Sequence, residues 1–328
     1  MYIVTGGAGF IGSNIVAALE AEGKSPIVVC DWLGQEAKWN NLVKRRLFDV
    51  VAPEQLFDFL DRHAGEIKGV IHMGAISATT HKNVDEIVRD NIRLSLDLWA
   101  WCTRARVAFI YASSAATYGD GNENFSDQRD AKGLDALRPL NAYGWSKHMV
   151  DRRIQDDIDA GRPHPPQWVG LKFFNVYGPN EFHKGDMMSV PCKRYPELKA
   201  GDPFGLFASD RPDYEDGGQR RDFVYVKDCV DVILWMLDHD DVSGLFNCGT
   251  GRATSFKELA EATYAAMDLT PNIQYIPMPD QLRGKYQYFT QADMTKLRDA
   301  GYTGQFRTVE AGMADYVSQY LSQDDPYR

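Results

Sequence analysis

Short apolar runs alternate with longer amphipathic stretches through the first half of the chain. Runs rich in β-branched residues predict strands at Tyr2–Thr5, Pro26–Asp31, Gly69–Met73, Val107–Ser113 and Trp168–Phe174. Between them, apolar side chains recur at helical spacing and predict helices over about 10–22, 85–104 and 141–159. This alternation is typical of βαβ units, so we predict an α/β fold with a doubly wound parallel sheet.

The pattern loses its regularity after Asn175. Residues 175–221 are rich in Gly, Pro, Asp and aromatic residues, and strand and helix signals return from about 221 to Met267. No linker-like composition separates the parts, so we expect the ligand site in the cleft between them. The predicted units are a dinucleotide-binding domain of 1–174 plus about 222–252, and a smaller, discontinuous α/β substrate lobe of about 175–221 plus 253–328.

The charge balance narrows the classes of partner. The chain has 328 residues and a net charge of −10, whereas nucleic-acid binders and membrane-surface proteins require a positive field. It has no run of 18 apolar residues and no signal-peptide pattern at its start. Five cysteines lie scattered without a CxxC pair, and the seven histidines lack metal-ligand spacing. We therefore expect a cytoplasmic protein with reduced, mostly buried thiols, no metal site, and no nucleic-acid or membrane partner.

A glycine-rich turn follows the first strand and opens the first helix. Gly6, Gly9 and Gly12 would let backbone N–H groups approach a pyrophosphate at the positive end of that helix. Asp31 ends the second strand about 20 residues on, where such folds place an acidic partner for the adenosine ribose. This context predicts a Rossmann-type dinucleotide site. Asp31 favours NAD, but Lys38 could bind a 2′-phosphate, so the preference stays open.

A serine, a tyrosine and a lysine form the candidate catalytic group. Tyr143 and Lys147 are four residues apart on one predicted helix face, and Ser114 ends the strand before that helix. We expect Lys147 to stabilise the phenolate and to lower the pKa of Tyr143, which makes a tyrosine usable as a general base. A lone YxxxK usually marks a solvated helix face. The glycine turn and the serine-ending strand favour the catalytic interpretation.

Three segments together resemble the extended short-chain dehydrogenase/reductase family: GGAGFIG (6–12), SSAATYG (113–119) and YGWSK (143–147). The resemblance covers the whole chain. It implies redox, epimerisation or dehydration of a nucleotide sugar with a bound nicotinamide cofactor. Dehydratases of the family carry an acid after the strand-end threonine, and SAATYG lacks it.

Further segments resemble the subfamily of ADP-glyceromanno-heptose 6-epimerases. They are FNVYGPNEFHKGDM (174–187), RDFVYV (221–226), GTGRATSF (249–256) and RGKYQYFTQAD (283–293). This resemblance implies interconversion of ADP-D-glycero- and ADP-L-glycero-D-manno-heptose, a lipopolysaccharide precursor, through a 6-keto intermediate. It also implies NADP as the recycling cofactor and a homo-oligomer, typically a pentamer. The alternatives are a UDP- or GDP-sugar 4-epimerase or reductase of the same family, or a non-catalytic nucleotide-sensing relative.

The resemblance assigns a second base to Lys184, for which a simple pyrophosphate contact is the alternative. The expected cofactor contacts, from motif and resemblance together, are Gly6, Gly9, Phe10, Ile11, Gly12, Asp31, Trp32, Lys38, Gly74, Ala75, Ile76, Ser77, Asn91, Tyr143, Lys147 and Val176. The expected substrate contacts are Ser114, Asn175, Lys184, Asp186, Lys193, Phe207, Ala208, Ser209, Arg221 and Tyr286. Trp32, Asp186 and Lys193 depart from the better-known pattern of the subfamily, and the alignment of loop 208–220 is open.

Overall fold

The strands of the computed structural model, which describes residues 1–35, 37–279 and 287–328, fall into one large sheet and three small ones. In chain order they are β1 (Tyr2–Thr5), β2 (Ile27–Cys30), β3 (Asp49–Val51), β4 (Gly69–His72), β5 (Ala108–Ser114), β6 (Trp168–Phe173), β7 (Asn175–Tyr177), β8 (Phe204–Phe207), β9 (Arg220–Arg221), β10 (Phe223–Tyr225), β11 (Gly244–Cys248), β12 (Thr254–Ser255) and β13 (Ile273–Ile276).

The α-helices are distributed along the whole chain. They are α1 (Phe10–Ala21), α2 (Leu56–Arg62), α3 (Val84–Ile87), α4 (Leu94–Ala105), α5 (Ala131–Asp135), α6 (Ala142–Asp159), α7 (Val190–Lys199), α8 (Val226–Asp238), α9 (Phe256–Ala266), α10 (Thr295–Asp299) and α11 (Val309–Tyr316). Shorter 3₁₀ turns include Ala37–Leu42, Ala115–Tyr118 and Phe182–Met187. None of the helices in the described ranges is long and apolar enough to span a membrane.

The large sheet has seven strands in the order β11-β6-β5-β4-β1-β2-β3, and every neighbouring pair is parallel. Strands such as β2 and β4 are buried along their whole length, as expected where helices cover both faces of a parallel sheet. The predicted doubly wound α/β fold is confirmed. The strand order reverses between β1 and β4, which is where such sheets open a crevice for ligands.

The predicted elements of the first half are present, with two differences. The edge strand β3 has no counterpart in the prediction, because only one of its three residues is buried and its apolar signal is weak. The helix predicted over 85–104 is divided into α3 and α4 by a π-helical segment, Val88–Arg93. Hydrophobic spacing alone does not reveal such a local widening of the helix.

The second lobe contains the elements that the sequence pattern hides. Helix α7 and strand β8 lie within the irregular stretch 175–221; α7 carries two prolines and buries only three residues, so its apolar pattern is faint. Strands β7 and β10 pair in parallel, so this small sheet crosses the boundary predicted near residue 222. The division into two domains stays a prediction. A core separate from that of the large sheet includes Tyr177, Tyr225, Met313 and Tyr316. All five cysteines are free and buried, as predicted.

Candidate active site

A cleft of about 840 Å³ opens at the carboxyl ends of β1, β4, β5 and β6, beside the second lobe. Its volume is within the range of small-molecule and cofactor sites. Among the predicted site residues, its walls include Gly6, Gly9, Phe10, Ile11, Gly12, Asp31, Trp32, Lys38, Gly74, Ala75, Ile76, Ser77, Ser114, Tyr143, Lys147, Asn175, Val176 and Lys184. Phe223, Phe256 and Leu259 bring the second lobe to the same cleft.

The glycine-rich turn is packed too tightly for side chains. A Cβ on Gly12 would lie 2.1 Å from the Gly6 carbonyl oxygen, and a Cβ on Gly6 would lie 2.6 Å from the Gly74 amide nitrogen. Gly6 also has a φ of +63°, which favours glycine. Helix α1 begins at Phe10, so its free N–H groups face the cleft edge. This bare, positive cradle fits the pyrophosphate of a dinucleotide.

Asp31 connects the turn to the segment beyond β2. Its Oδ2 accepts a hydrogen bond from the Ala8 N–H at 2.9 Å, and its Oδ1 pairs with the Lys38 ammonium at 2.6 Å. Lys38 also donates to the Trp32 carbonyl oxygen at 3.0 Å. The carboxylate therefore stands next to a cation at the cleft wall. That pairing leaves room for either ribose or phosphate recognition.

Asn91, in the π-helical segment, supports the floor of the cleft from behind. Its side chain accepts from the Ile76 N–H at 2.8 Å and donates to the Ile76 carbonyl oxygen at 3.0 Å. It also donates to Ser146 Oγ at 3.0 Å, one residue before Lys147. Asn91 is fully buried, so it fixes the loop after β4 against the helix that bears Tyr143.

Ser114, Tyr143 and Lys147 come together at the cleft. Ser114 ends β5 and its Oγ caps the next turn by accepting from the Ala116 N–H at 3.1 Å. Tyr143 lies in the first turn of α6, which Asn141 caps by accepting from the Gly144 N–H at 2.8 Å. A Cβ on Gly144 would lie 2.7 Å from the Ala116 carbonyl oxygen, so glycine allows α6 to approach the serine turn. Ser114 hydrogen-bonds to the Tyr143 side chain.

Burial dominates the titration of this group. It raises the pKa of Tyr143 above its usual value, the Ser114 hydrogen bond opposes that change, and the charge of Asp151 adds to it. The expectation that Lys147 lowers the pKa of Tyr143 is therefore wrong for the protein alone, because desolvation outweighs it. Burial also lowers the pKa of Lys147 to about 8. A phenolate at Tyr143 needs more positive charge than Lys147 supplies in this structure.

Lys184 reaches the same cleft from the opposite side, on the 3₁₀ turn Phe182–Met187. Its ammonium lies 4.8 Å from the centroid of the Phe10 ring, which links it to the glycine-rich turn. Burial lowers the pKa of Lys184, and the Glu181 carboxylate opposes that shift. A lysine with a lowered pKa carries more neutral amine near pH 7, and only the neutral amine can accept a proton.

Glu181 holds the segment that carries Lys184. Its carboxylate accepts hydrogen bonds from the Ser189 N–H at 2.5 Å, the Ser189 hydroxyl at 2.6 Å and the Tyr316 hydroxyl at 3.1 Å. It also accepts from the Gly178 N–H at 3.3 Å. One buried carboxylate thus joins both ends of the segment to α11. This arrangement presents Lys184 from a fixed loop.

Comparison with known proteins follows from this geometry. The family model described as NAD dependent epimerase/dehydratase family matches residues 2–249. The chain belongs to this family. The predicted resemblance to extended short-chain dehydrogenases/reductases is thereby confirmed, and a nicotinamide dinucleotide is the cofactor class of the family.

Individual members of the NAD dependent epimerase/dehydratase family are similar over the whole chain. A protein of Nitratidesulfovibrio vulgaris (strain DP4) named ADP-L-glycero-D-manno-heptose-6-epimerase is 50% identical over 331 residues, covering 100% of both chains. The crystal structure of the Helicobacter pylori protein of the same name is 27% identical with a TM-score of 0.79, covering 97% of this chain and 95% of that one. The structure of MoeE5 with UDP-glucuronic acid and NAD is 26% identical with a TM-score of 0.73, covering 95% and 96%.

Several predicted substrate contacts lie outside the walls of the cleft. They are Asp186, Lys193, Phe207, Ala208, Ser209 and Arg221. Asp186 is exposed and its carbonyl oxygen accepts a hydrogen bond from Lys193. Arg221 is buried, with its guanidinium 5.9 Å from the centroid of the Phe256 ring. Tyr286 lies outside the described residues. The roles of these residues stay predictions.

Other wall residues are absent from the sequence prediction. His183, Met187, Met188 and Gln287 all reach the cleft. His183 directly precedes Lys184, and burial lowers its pKa to about 4, so it is uncharged near pH 7. Their position within or next to the recognised segments is the only signal that could have marked them. In the ranges that the structure describes, no group of three or more His, Cys, Asp or Glu side chains is placed to hold a metal ion.

Proposed function

We propose that this chain epimerises ADP-D-glycero-D-manno-heptose to ADP-L-glycero-D-manno-heptose at carbon 6. The observation that carries the proposal is the presence of two proton-transfer groups, Tyr143 and Lys184, in the walls of one cleft. Full-length similarity to proteins named for this reaction supports the substrate. When bound, the nicotinamide cofactor accepts a hydride from carbon 6 and returns it.

Tyr143 serves as one base in this proposal. Its hydroxyl is buried and hydrogen-bonded to Ser114, so both side chains can contact the oxygen at carbon 6. Removing the proton from that hydroxyl lets it become a ketone. The Lys147 ammonium supplies positive charge that stabilises the phenolate.

Lys184 serves as the second base. Carbon 6 is exocyclic, so rotation about the adjoining single bond turns the opposite face of the ketone towards the hydride donor. The oxygen then points elsewhere and needs a different proton donor, which a group on the other wall of the cleft supplies. Burial lowers the pKa of Lys184 and so suits it to exchange protons near neutral pH.

The cofactor in this proposal is NADP, with NAD as the alternative. Asp31 alone would repel a 2′-phosphate, but the Lys38 ammonium at 2.6 Å neutralises it. Lys38 then offers N–H donors and positive charge at the adenosine end of the cleft. The pyrophosphate would lie against the glycine-rich turn and the start of α1.

Product analysis tests the reaction directly. The purified protein is incubated separately with ADP-D-glycero-D-manno-heptose, UDP-glucose and UDP-glucuronic acid, and the sugars are separated after release. We expect inversion at carbon 6 of the heptose only. Inversion of a ring carbon in a UDP-sugar, with no change of the heptose, would instead establish the 4-epimerase alternative.

A substrate analogue with an aldehyde at carbon 6 tests the two bases separately. One hydrated aldehyde is oxidised to a carboxylate while a second is reduced to a primary alcohol, and neither step inverts a centre. We expect Tyr143→Phe and Lys184→Met each to retain this dismutation and to lose epimerisation. The double variant should lose both.

The phosphate-contact alternative for Lys184 predicts a different result. Lys184→Met would then raise KM for the natural substrate and leave kcat almost unchanged, because only a uniform binding interaction is lost. Such a result would reject the two-base mechanism while leaving the epimerase activity intact. The substrate contacts outside the cleft, the cytoplasmic location, the absence of nucleic-acid and membrane partners, and the homo-oligomer remain predictions.

A further inference from the structure

A buried ion pair lies beneath the helix that bears Tyr143. The Lys172 ammonium on β6 is 2.5 Å from Asp151 Oδ2 on α6. The two side chains are 1% and 0% exposed. Burying two charges is costly unless they are well paired and hydrogen-bonded, and replacing such pairs by apolar residues is often neutral or stabilising. No step described above uses either residue.

Asp151 holds the end of β5. Its Oδ2 accepts a hydrogen bond from the Ser113 hydroxyl at 2.7 Å, and its Oδ1 accepts one from the Tyr111 hydroxyl at 3.0 Å. Ser113 directly precedes Ser114. The carboxylate therefore fixes the strand end from which Ser114 reaches Tyr143.

Lys172 holds the other side of the same serine. Its ammonium hydrogen-bonds to Thr117 Oγ1 at 2.9 Å, and the Thr117 hydroxyl donates to the Ser114 carbonyl oxygen at 2.8 Å. The ammonium also lies 5.2 Å from the centroid of the Tyr118 ring. The residues on both sides of Ser114 are thus tied to one buried pair.

The charge of Asp151 reaches the catalytic side chains as well. Asp151 lies one helical turn after Lys147 and about two turns after Tyr143, and its charge acts to raise the pKa of both. Among the residues that the structure describes, only Lys172 is a cation hydrogen-bonded to Asp151.

Other titratable or charged groups surround the pair from several elements. They are Tyr111 on β5, Tyr118 in the turn after it, Asp127 and Arg129 before α5, Lys147 and His148 on α6, and Lys296 on α10. Burial lowers the pKa of His148 to about 4, so that imidazole is neutral near pH 7. Burial also lowers the pKa of Lys296.

We propose that Lys172 is a positioning residue for Ser114 and Tyr143: by pairing with Asp151 it fixes the end of β5 and limits the negative charge that Tyr143 faces. The inference rests on the proposed function only for the role of Tyr143 as a base. The arrangement makes a testable distinction between charge control and mere support of the fold. Removing the carboxylate and removing the ammonium must act on Tyr143 in opposite directions.

The test measures the titration of Tyr143 itself and needs no sugar. The full chain is labelled with ¹³Cζ-tyrosine, and the Tyr143 resonance is assigned by its loss in Tyr143→Phe. Asp151→Asn keeps the shape of the side chain and removes its charge. We expect it to lower the apparent pKa of Tyr143 by about one unit or more. Lys172→Met should shift that pKa upward, and the double variant should fall between the two single variants.

The matched control is Lys227→Met, which removes a 2.6 Å ion pair with Asp315 in the second lobe. It should leave the Tyr143 titration unchanged. If Lys172→Met does not fold, Asp151→Asn alone decides the question. An unchanged Tyr143 titration in folded Asp151→Asn, with only a lower melting temperature, would overturn the proposal and leave the pair a structural element.

Kinetics then separate this inference from the proposed function. Should the wild-type protein leave ADP-heptose unchanged, the epimerase proposal fails while the titration result stands. Where epimerisation is present, the acid limb of the kcat/KM profile should move to lower pH in Asp151→Asn, in step with the Tyr143 resonance. A limb that does not move with the resonance would contradict the positioning role.

Discussion

The tight start of α1 permits a prediction from distances alone. In Gly12→Ala the new Cβ would lie 2.1 Å from the Gly6 carbonyl oxygen and 2.9 Å from the Gly7 Cα. Real Cβ atoms essentially never approach closer than 3.0 Å, so the turn and the helix must separate by about 0.9 Å. Both neighbouring atoms belong to the backbone, which cannot rotate away as a flexible side chain would.

This displacement acts on the N–H groups that we expect to bind the pyrophosphate. A misplacement of about 1 Å in a positioned site costs about 10²-fold. We therefore expect the Kd of Gly12→Ala for NADP and for NAD to rise by about that factor, equivalent to about 2.8 kcal/mol. Overpacking should also reduce the free energy of unfolding by about 1–3 kcal/mol.

Calorimetric titration of cofactor-stripped protein measures the effect. The matched control is Gly65→Ala, because no atom lies within 4 Å of a Cβ built on Gly65. The control should bind both dinucleotides as the wild type does. A folded Gly12→Ala variant with wild-type affinity would show that the turn does not hold the pyrophosphate.

Three further predictions concern single side chains. Tyr143→Phe should lower kcat for ADP-heptose by about 10²-fold or more, the scale of general-base catalysis, with cofactor affinity retained in a parallel titration. Lys38→Met should weaken NADP binding by about tenfold or more, because a hydrogen bond to a charged group is lost, while NAD binding changes little. Equal losses for both dinucleotides would contradict the 2′-phosphate contact. Because burial lowers the pKa of Lys147 to about 8, its ammonium is lost as the pH rises through that value, so kcat/KM should fall above about pH 8. Lys147→Arg, whose guanidinium stays charged, should remove that fall even if its activity is lower.

The sequence predicts best where local chemistry determines the structure. Strand β2 is a run of β-branched residues buried on both faces, and the glycine turn combines a local motif with a strand and a helix at fixed spacing. Such features depend on neighbouring residues. Ser114, Tyr143 and Lys147 could be grouped because carboxyl ends of parallel strands meet at one edge of the sheet.

The rest depends on contacts between distant parts of the chain. Glu181 meets Tyr316 across 135 positions, and no local pattern marks that pair. The pKa of Tyr143 depends on how completely the folded chain excludes water, which the spacing of Tyr143 and Lys147 does not reveal. Lys172 did leave a signal, since a lysine inside the apolar strand WVGLKF requires a buried partner.

The π-helical segment between α3 and α4 has a consequence for insertions and deletions. Because an α-helix turns about 100° per residue, deleting one residue between 88 and 93 would restore a regular helix and rotate everything after it by that angle. Leu98 and Cys102, both now in the core, would leave their places, or else Asn91 would leave Ile76. One surplus residue thus lets a single helix satisfy two registers, one for the core and one for the cofactor loop. A change of length here is far more disruptive than any single substitution at an exposed position of the same helix.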